Sequence, residues 1–301
     1  MSPHVLTADI GGTKLAAALI GEDGTVLRRR EVPTPAAPPG RADIVGAALT
    51  GLLRQVAADT TPTAVGVASA GPLDLLAGTV SPVNIPAWRD FPILAEVGEA
   101  IPGVPCFLVG DAVAAAVGEH WTGAGGGSTS MLGIVVSTGI GGGLVLEGVP
   151  FEGPTGNAGH IGHIIVDPGG APCPCGARGC VETIASGPSM VRWARERGWG
   201  GPDARALAQA AHDGAAVPLA AFARAADALA SAIVTVAAIC DLDQAVIGGG
   251  VAAAGEVLFG PLRRAIGERA RLGFVRRLRV TPAALGGDGG LIGAARMALL
   301  R

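Results

Sequence analysis

The sequence predicts an α/β protein built from two related domains. A strand, a glycine-rich turn and a second strand follow one another at residues 4–20, and the same pattern returns at residues 131–147. Elsewhere, apolar runs of strand length alternate with segments of helical periodicity, which is typical of an α/β fold. With 301 residues, the chain is long enough for two domains or for one large one.

The composition indicates a globular protein and disfavours nucleic-acid and membrane partners. Hydrophobic residues make up 49% of the chain and charged residues 16%, so a full core is available. The net charge of -3 gives no polyelectrolyte attraction, and we expect no nucleic-acid partner. Asp9 interrupts the first apolar run, and no apolar stretch of membrane-spanning length lacks a polar interruption, so we expect neither a signal peptide nor a membrane partner. Five cysteines, three of them clustered, fit a reducing cytoplasm better than a disulfide scaffold.

The first hairpin carries a candidate phosphate-binding turn between strands at residues 4–10 and 15–20. Its candidate nucleotide-binding residues are Asp9, Gly11, Gly12, Thr13 and Lys14. Backbone N–H groups and a hydroxyl in such a turn can hold phosphate oxygens, and Asp9 can organise Mg²⁺ through water. An ordinary turn with Asp9 as its cap is the alternative. The motif G-x4-G-K-[ST] is absent, so the turn is not a Walker loop.

Two polar residues stand out in the segment that follows. Its predicted strands cover residues 26–32, 64–68 and 105–109, and its predicted helices cover residues 41–57 and 112–121. Asn84 lies in a Pro-Val-Asn sequence and reads, taken alone, as a turn residue. Asp111 stands between a strand and a helix, where it can cap the helix. A carboxylate at a helix N-terminus also stays ionised and can accept a proton from a hydroxyl group.

The second hairpin repeats the first and opens the other half of the chain. Thr138 and Gly139 lie in its turn, between a strand at residues 131–136 and an apolar run at residues 144–147. Later predicted helices cover residues 189–197, 204–212, 218–239, 258–269 and a closing helix within 286–300, and later predicted strands cover residues 245–247 and 278–281. A run of three glycines, Gly248, Gly249 and Gly250, forms a strand-to-helix turn. Two such hairpins are stronger evidence than either alone.

Zinc-type ligands cluster in the stretch G-H-I-G-H-I-I-V-D-P-G-G-A-P-C-P-C-G-A-R-G-C-V-E, residues 159–182. Thiolate sulfur and neutral imidazole are the usual zinc ligands, and four of them form a closed, structural site. The candidate ligands are His163, Cys173, Cys175 and Cys180, and the glycines that let the chain turn between them are Gly169, Gly170, Gly176 and Gly179. The C-x-C-x4-C spacing is not that of a nucleic-acid finger. Three unligated thiols are the alternative, although a loop this rich in Gly and Pro cannot bury thiols as a core would.

This stretch resembles the second signature of the ROK family of sugar kinases and repressors, G-H-x9-C-x-C-G-x2-G-C-x-E. The first hairpin likewise resembles the first phosphate loop of the actin-like ATPase (ribonuclease H-like) fold, in which two related domains each carry one such loop. The resemblance therefore implies a two-domain fold of the ROK kinase type. It implies an N-terminal domain at residues 1–116 to which the helix 288–301 returns, and a C-terminal domain at residues 117–287 that contains the zinc loop.

The resemblance also implies a role for each candidate residue. His163 and the three cysteines of the stretch would bind a structural Zn²⁺, and Asp111 would be the catalytic base. The residues implied to contact the sugar are Asn84, Asp111, His160, His163 and Glu182. Those implied to contact ATP are the first phosphate turn, then Thr138 and Gly139 at the β- and γ-phosphates, and the three-glycine run beside the adenine and ribose. ATP with Mg²⁺ and a sugar would occupy a cleft between the domains.

The implied reaction is transfer of the γ-phosphoryl group of ATP to O6 of a hexose or aminosugar. The motifs D-I-G-G-T-K, S-T-G-I-G-G-G and A-G-H-I-G-H are most similar to those of bacterial N-acylmannosamine kinases. His160 replaces the Glu of the family's glucokinases, and Gly110 replaces the Asn that usually precedes the catalytic Asp. N-acetylmannosamine is therefore the expected sugar, with kanosamine and glucose as alternatives.

A transcriptional repressor and a sugar-binding protein without catalysis are the two alternative classes of function. Family repressors carry a helix-turn-helix domain before the kinase-like part, and we expect no room for one ahead of Asp9. A sugar-binding protein without catalysis is disfavoured by Asp111 and by both phosphate turns. We expect a cytoplasmic homodimer or homotetramer, as family members commonly are.

Overall fold

The computed structural model describes residues 4–301, which divide into two compact units. The first unit comprises the described chain up to Gly123 together with Pro150–Ala158 and Gly287–Arg301, and the second comprises Ala124–Val149 and Gly159–Gly286. The division expected after residue 116 falls inside a continuous helix, Asp111–Thr122. The units separate after that helix because it packs against the closing helix within the first unit.

The first unit contains a mixed sheet with the strand order β3-β2-β1-β4-β7. In chain order, its elements up to Gly123 are β1 (His4–Ile10), β2 (Lys14–Gly21), β3 (Val26–Pro33), α1 (Ala42–Ala57), β4 (Ala64–Ser69), β5 (Leu73–Asp74), β6 (Thr79–Val80), α2 (Ile93–Ala100), β7 (Cys106–Gly110) and α3 (Asp111–Thr122). The first three strands pair antiparallel, whereas β4 is parallel to β1 and β7 is parallel to β4. The carboxyl ends of β1, β4 and β7 therefore share one edge of the sheet.

The second unit repeats this arrangement. Its elements are β8 (Met131–Val136), β9 (Ile140–Leu146), the edge strand β10 that begins there (Val149–Phe151), α4 (Glu182–Ala185), α5 (Gly187–Arg195), α6 (Ala204–His212), α7 (Ala216–Cys240), β11 (Gln244–Gly248), α8 (Glu256–Arg269) and β12 (Arg279–Pro282). The hairpin of β8 and β9 is antiparallel, and β11 runs parallel to both β8 and β12. The predicted α/β repeat of the hairpin is confirmed.

The chain ends with α9 (Gly289–Leu299), which belongs to the first unit. It contacts α3 so closely that a side-chain carbon at Gly293 would lie 1.7 Å from the carbonyl oxygen of Ala114. A side-chain carbon at Gly118 would likewise lie 2.2 Å from the carbonyl oxygen of Gly289. Glycine is required at these two positions because the helix backbones are in direct contact.

Helix α7 forms the centre of the second unit's core. Phe222, Leu229 and Ile233 are fully or almost fully buried on it, at 0–1% exposure. Within residues 4–301, α7 is the helix whose length and apolar composition would allow it to cross a membrane, and half of that apolar window is buried inside the fold. Such partial burial is typical of a core helix, and the charged Arg224 and Asp227 interrupt the apolar stretch.

Candidate functional site

The candidate phosphate-binding loop at residues 11–14, called the first phosphate loop, joins β1 to β2 and is held by backbone contacts. The N–H of Gly11 donates to the carbonyl oxygen of Lys14 at 3.0 Å, and the N–H of Thr34 donates to that of Thr13 at 3.1 Å. The Thr34 hydroxyl also donates to the Gly11 carbonyl at 2.7 Å. Among residues 4–301, the N–H groups of Gly12 and Thr13 donate to no protein oxygen. Both groups are therefore available to a phosphate oxygen.

Asp9 lies next to last on β1, half-buried behind this loop. Its carboxyl pKa is raised from 3.8 to about 6, first by burial and then by the neighbouring Asp111, while Lys14 and Arg29 act in the opposite direction. A side-chain carbon at Gly290 would lie 2.7 Å from Oδ2 of Asp9, so α9 begins directly against this carboxylate. A cation would relieve the repulsion between the two acids, and Mg²⁺ prefers such oxygen ligands with water between.

A chain of charged side chains surrounds the same edge of the sheet. Nζ of Lys14 lies 3.4 Å from Oε2 of Glu31, which also accepts from Nη2 of Arg29 at 2.6 Å. Nε of Arg29 donates to Oδ1 of Asp288 at 2.7 Å. The network ties the first phosphate loop to the start of α9. Sequence reasoning missed it, although Arg29 and Glu31 stand two apart on β3 and so share a face.

Asp111 is the first residue of α3, and Gly110 occupies the N-cap position before it. Oδ1 of Asp111 accepts the N–H of Ala112 at 2.7 Å, and no side-chain cap closes this helix in the described chain. Gly110 has φ -64° and ψ 140°, a conformation open to any residue. A side-chain carbon there would meet Leu73 and Val113 at ordinary distances of 3.6 and 3.7 Å. The backbone therefore does not require glycine at this position, where a side chain would contact Leu73 and Val113.

Asn84 lies exposed in a turn where the N–H of Ile85 donates to the Pro82 carbonyl at 3.1 Å. The prediction that Asn84 is a turn residue is therefore confirmed. Its side chain also lies against the first phosphate loop, since a side-chain carbon at Gly12 would come within 2.6 Å of its Cβ, Cγ and Nδ2. Asn84 thus lies beside the loop, and a side chain at position 12 would require Asn84 to move.

The second candidate phosphate-binding loop, at residues 137–140 and called the second phosphate loop, joins β8 to β9 in the second unit. The N–H of Ser137 donates to the Gly139 carbonyl at 2.9 Å, and Thr138 and Gly139 are exposed. The three-glycine run, which begins with the last residue of β11, lies beside the start of this loop. Gly249 has φ 92°, and a side-chain carbon there would lie 2.4 Å from the Val136 carbonyl oxygen. The structure therefore brings together Thr138, Gly139 and the run Gly248–Gly250.

Glu182 is the first residue of α4 and reaches the second phosphate loop. Its Oε2 accepts the backbone N–H of Ile140 at 2.8 Å. A side-chain carbon at Gly139 would lie 2.9 Å from the same oxygen, so glycine makes room for the carboxylate. Sequence reasoning assigned Glu182 to the sugar alone. No local pattern signals this contact, because the two residues are 42 positions apart.

The four zinc-type side chains converge as predicted. The ligand atoms of His163, Cys173, Cys175 and Cys180 all lie within 4.8 Å of one another. Sγ of Cys173 lies 3.7 Å from Nδ1 of His163, and Sγ of Cys175 lies 3.7 Å from Sγ of Cys180. A tetrahedral zinc ion with Zn–S bonds of about 2.3 Å separates two sulfur ligands by about 3.8 Å. The cluster therefore fits Zn²⁺ in both chemistry and spacing.

Backbone geometry builds this cluster. Gly176 and Gly179 have φ 96° and 68°, and a side-chain carbon at Gly179 would lie 1.5 Å from the Asp167 carbonyl oxygen. Burial raises the pKa of the Cys180 thiol to about 12, whereas the N–H of Ala177 lowers the pKa of the Cys175 thiol. Binding of a divalent cation would therefore have to displace thiol protons.

His160 directly precedes a short 3-10 helix, Ile161–His163, and its ring centroid lies 6.1 Å from that of His163. Nδ1 of His163 faces Cys173, so Nε2 is the nitrogen directed away from the cysteine cluster. His160, His163 and Glu182 belong to the second unit with the second phosphate loop. Asn84 and Asp111 belong to the first unit with Asp9 and the first phosphate loop.

Comparisons of the sequence and of the structure with known proteins all indicate the same protein family. The model of the ROK family matches residues 5–300. The chain is 35% identical to the glucokinase of Thermotoga maritima over 97% of this chain and 96% of that one. It is 41% identical to the N-acetylmannosamine kinase of Escherichia fergusonii over 82% of each chain. Its structure is similar to that of a ROK family glucokinase from Streptomyces griseus in complex with glucose and AMPPNP, with a TM-score of 0.83, 32% identity and coverage of 99% and 100%.

Proposed function

The chain belongs to the ROK family and is an ATP-dependent carbohydrate kinase, and we propose that it phosphorylates O6 of N-acetylmannosamine. The predicted fold class, a two-domain actin-like ATPase fold of the ROK kinase type, is confirmed at this level of similarity.

The placement of Asp111 carries the mechanism. It follows β7 at the sheet edge where β1 delivers Asp9 and the first phosphate loop. In our proposal the Asp111 carboxylate accepts the proton of the 6-hydroxyl as that oxygen attacks the γ-phosphorus. The loop N–H groups hold the phosphate oxygens, so that position and charge complementarity supply most of the rate. Mg²⁺, held by Asp9 through water, would neutralise phosphate charge when bound.

The side chain of His160 favours N-acetylmannosamine over glucose as the substrate. A carboxylate only accepts hydrogen bonds, whereas a neutral imidazole has one donor and one acceptor. An acetamido group offers a carbonyl oxygen to an imidazole N–H, and a sugar hydroxyl would lose the charge-assisted bond that a Glu provides. The similarity to N-acetylmannosamine kinases at 41% identity agrees with this choice.

Glucose is the second candidate, because the T. maritima glucokinase matches nearly the whole chain at 35% identity. Kanosamine is a third, since Gly110 and His160 together alter two expected sugar contacts. We further propose one structural Zn²⁺ held by His163 and the three cysteines, a cytoplasmic location where thiols stay reduced, and a homodimeric or homotetrameric assembly.

The test is kcat/KM for N-acetylmannosamine, glucose, N-acetylglucosamine and kanosamine in the wild type and in His160→Glu. We expect the wild type to prefer N-acetylmannosamine, and the variant to shift towards glucose by about 1–3 kcal/mol of transition-state discrimination. A wild type that already prefers glucose or kanosamine would overturn the sugar assignment and leave the kinase activity in place.

A further inference from the structure

Both ends of the second phosphate loop are hydrogen-bonded to residues 182–187, which follow the candidate zinc ligands. At the far end, the N–H of Ile140 donates to Oε2 of Glu182 at 2.8 Å. At the near end, the N–H of Gly187 donates to the Ser137 carbonyl at 2.9 Å. The loop is thus fixed from residues 182–187, more than 40 positions along the chain.

A third contact restricts the same loop. Gly162, in the 3-10 helix that ends in His163, lies against the carbonyl of Ile140, and a side-chain carbon there would be 2.1 Å from that oxygen. Ile140 itself is buried, with 4% exposure. The N–H of Ile140 is therefore hydrogen-bonded to Glu182, and its carbonyl is in close contact with Gly162.

The Glu182 carboxylate has two oxygens with different surroundings. Oε2 is committed to the N–H of Ile140, in a charge-assisted bond that is stronger than one between neutral groups. Within the described chain, Oε1 accepts no hydrogen bond. One carboxylate can therefore fix the loop and contact a ligand at the same time.

We propose that Glu182 is a positioning residue for the nucleotide as well as a ligand of the sugar. Oε2 holds the second phosphate loop in the shape that receives the phosphates of ATP, and Oε1 is left for a sugar hydroxyl. The inference rests on the proposed function in taking this loop as a nucleotide-binding element and Glu182 as a sugar ligand. It predicts that Glu182 affects nucleotide binding even when no sugar is present.

The experiment measures the Kd of AMPPNP with Mg²⁺ by calorimetry, without sugar, in the wild type, Glu182→Gln and Glu182→Ala. Gln keeps an oxygen that can accept from Ile140, so we expect its Kd to stay within about threefold of the wild type. Ala leaves that N–H without its acceptor, and we expect AMPPNP binding to weaken about tenfold or more. Both variants should show a raised KM for the sugar. Glu196→Ala, an exposed glutamate in the same unit, is the control and should leave the Kd unchanged.

A second variant covers the case in which Glu182→Ala does not fold. Glu182→Asp shortens the side chain by one methylene group and so withdraws the carboxylate from the N–H of Ile140 without removing its charge. It should reproduce the loss of AMPPNP binding. If Glu182→Ala folds and binds AMPPNP like the wild type while its sugar KM rises, Glu182 is a sugar ligand only and the proposal is wrong, although the kinase assignment stands. If the AMPPNP effect appears but no sugar is phosphorylated by the wild type, the proposed function fails and the positioning role survives.

Discussion

Asp9 shows how one residue of the candidate site sets a cost on folding. Its pKa is raised from 3.8 to about 6 in the folded protein, so between these values the folded state binds more protons than the unfolded state. Stability therefore falls as the pH rises through this window, and the full cost is present above pH 6. The carboxylate is retained at this cost because the proposed chemistry needs an ionised oxygen ligand for Mg²⁺.

Asp9→Asn should remove that cost. We expect its free energy of unfolding at pH 7.5 to exceed that of the wild type by about 1–3 kcal/mol, and this difference to shrink as the pH falls to 5. Urea unfolding in magnesium-free buffer across this range measures it, with Asp59→Asn, an exposed carboxylate, as the control. A variant less stable than the wild type at pH 7.5 would mean that the Asp9 carboxylate makes net favourable contacts.

Residue types and spacing could predict part of this site. The thiols and imidazole at residues 163–180 indicate a metal site by their chemistry alone. Their ligand atoms lie within 4.8 Å of one another in the structure. The contact of Glu182 with Ile140 could not be predicted, because it depends on how two distant segments fold together. The same holds for Arg29 and Asp288, which are 259 positions apart.

At the level of elements, the loop that carries the four candidate zinc ligands supports more than its own fold. Cys180 stands two residues before Glu182, and the carbonyl of Cys180 accepts both the N–H and the hydroxyl of Thr183 at 3.0 and 2.7 Å. The proposed metal therefore fixes the start of α4, from which Glu182 reaches the second phosphate loop. Loss of the metal should affect both the sugar and the nucleotide.

Cys175→Ser should lose the metal, because Cys175 is exposed at the edge of the cluster and supplies one of four ligands. We expect close to one zinc per chain in the wild type and much less in the variant, with weaker binding of both AMPPNP and sugar. Metal analysis and calorimetry on freshly purified protein measure this. A zinc-free wild type, or full activity in Cys175→Ser, would show that the cluster has no metal role.

Element boundaries show where local pattern is sufficient. The strands His4–Ile10 and Met131–Val136 have the predicted bounds because their apolar runs end in turn residues. Strand β9 begins at Ile140, whereas the pattern placed Gly141–Gly143 in the turn. These glycines are in a strand because Gly142 lies against the backbone of Gly133 and Gly159, at 2.7 and 2.9 Å from its missing side-chain carbon. Close tertiary contact here outweighs the low strand propensity of glycine.

For the whole molecule, the fold class followed from the repeated hairpin, since each unit has an antiparallel hairpin beside parallel strands. The exact division of the chain could not be predicted in this way. Residues 150–158 join the first unit although they follow β9 of the second, and α3 stays whole within the first unit. The position of α3 depends on backbone contacts such as that of Gly293 with Ala114, which leave no periodic signal.

In our proposal this chain transfers a phosphoryl group from ATP to a sugar hydroxyl, with Asp111 as the base. The most direct measurement is the rate of ATP-dependent formation of N-acetylmannosamine 6-phosphate by the wild type and by Asp111→Asn, with zinc content, fold and AMPPNP affinity measured alongside. We expect the variant to keep its fold, metal and nucleotide affinity and to lose about 10²–10⁴-fold in rate, the usual effect of removing a general base. A rate near that of the wild type would contradict the account and leave Asp111 as no more than the first residue of a helix.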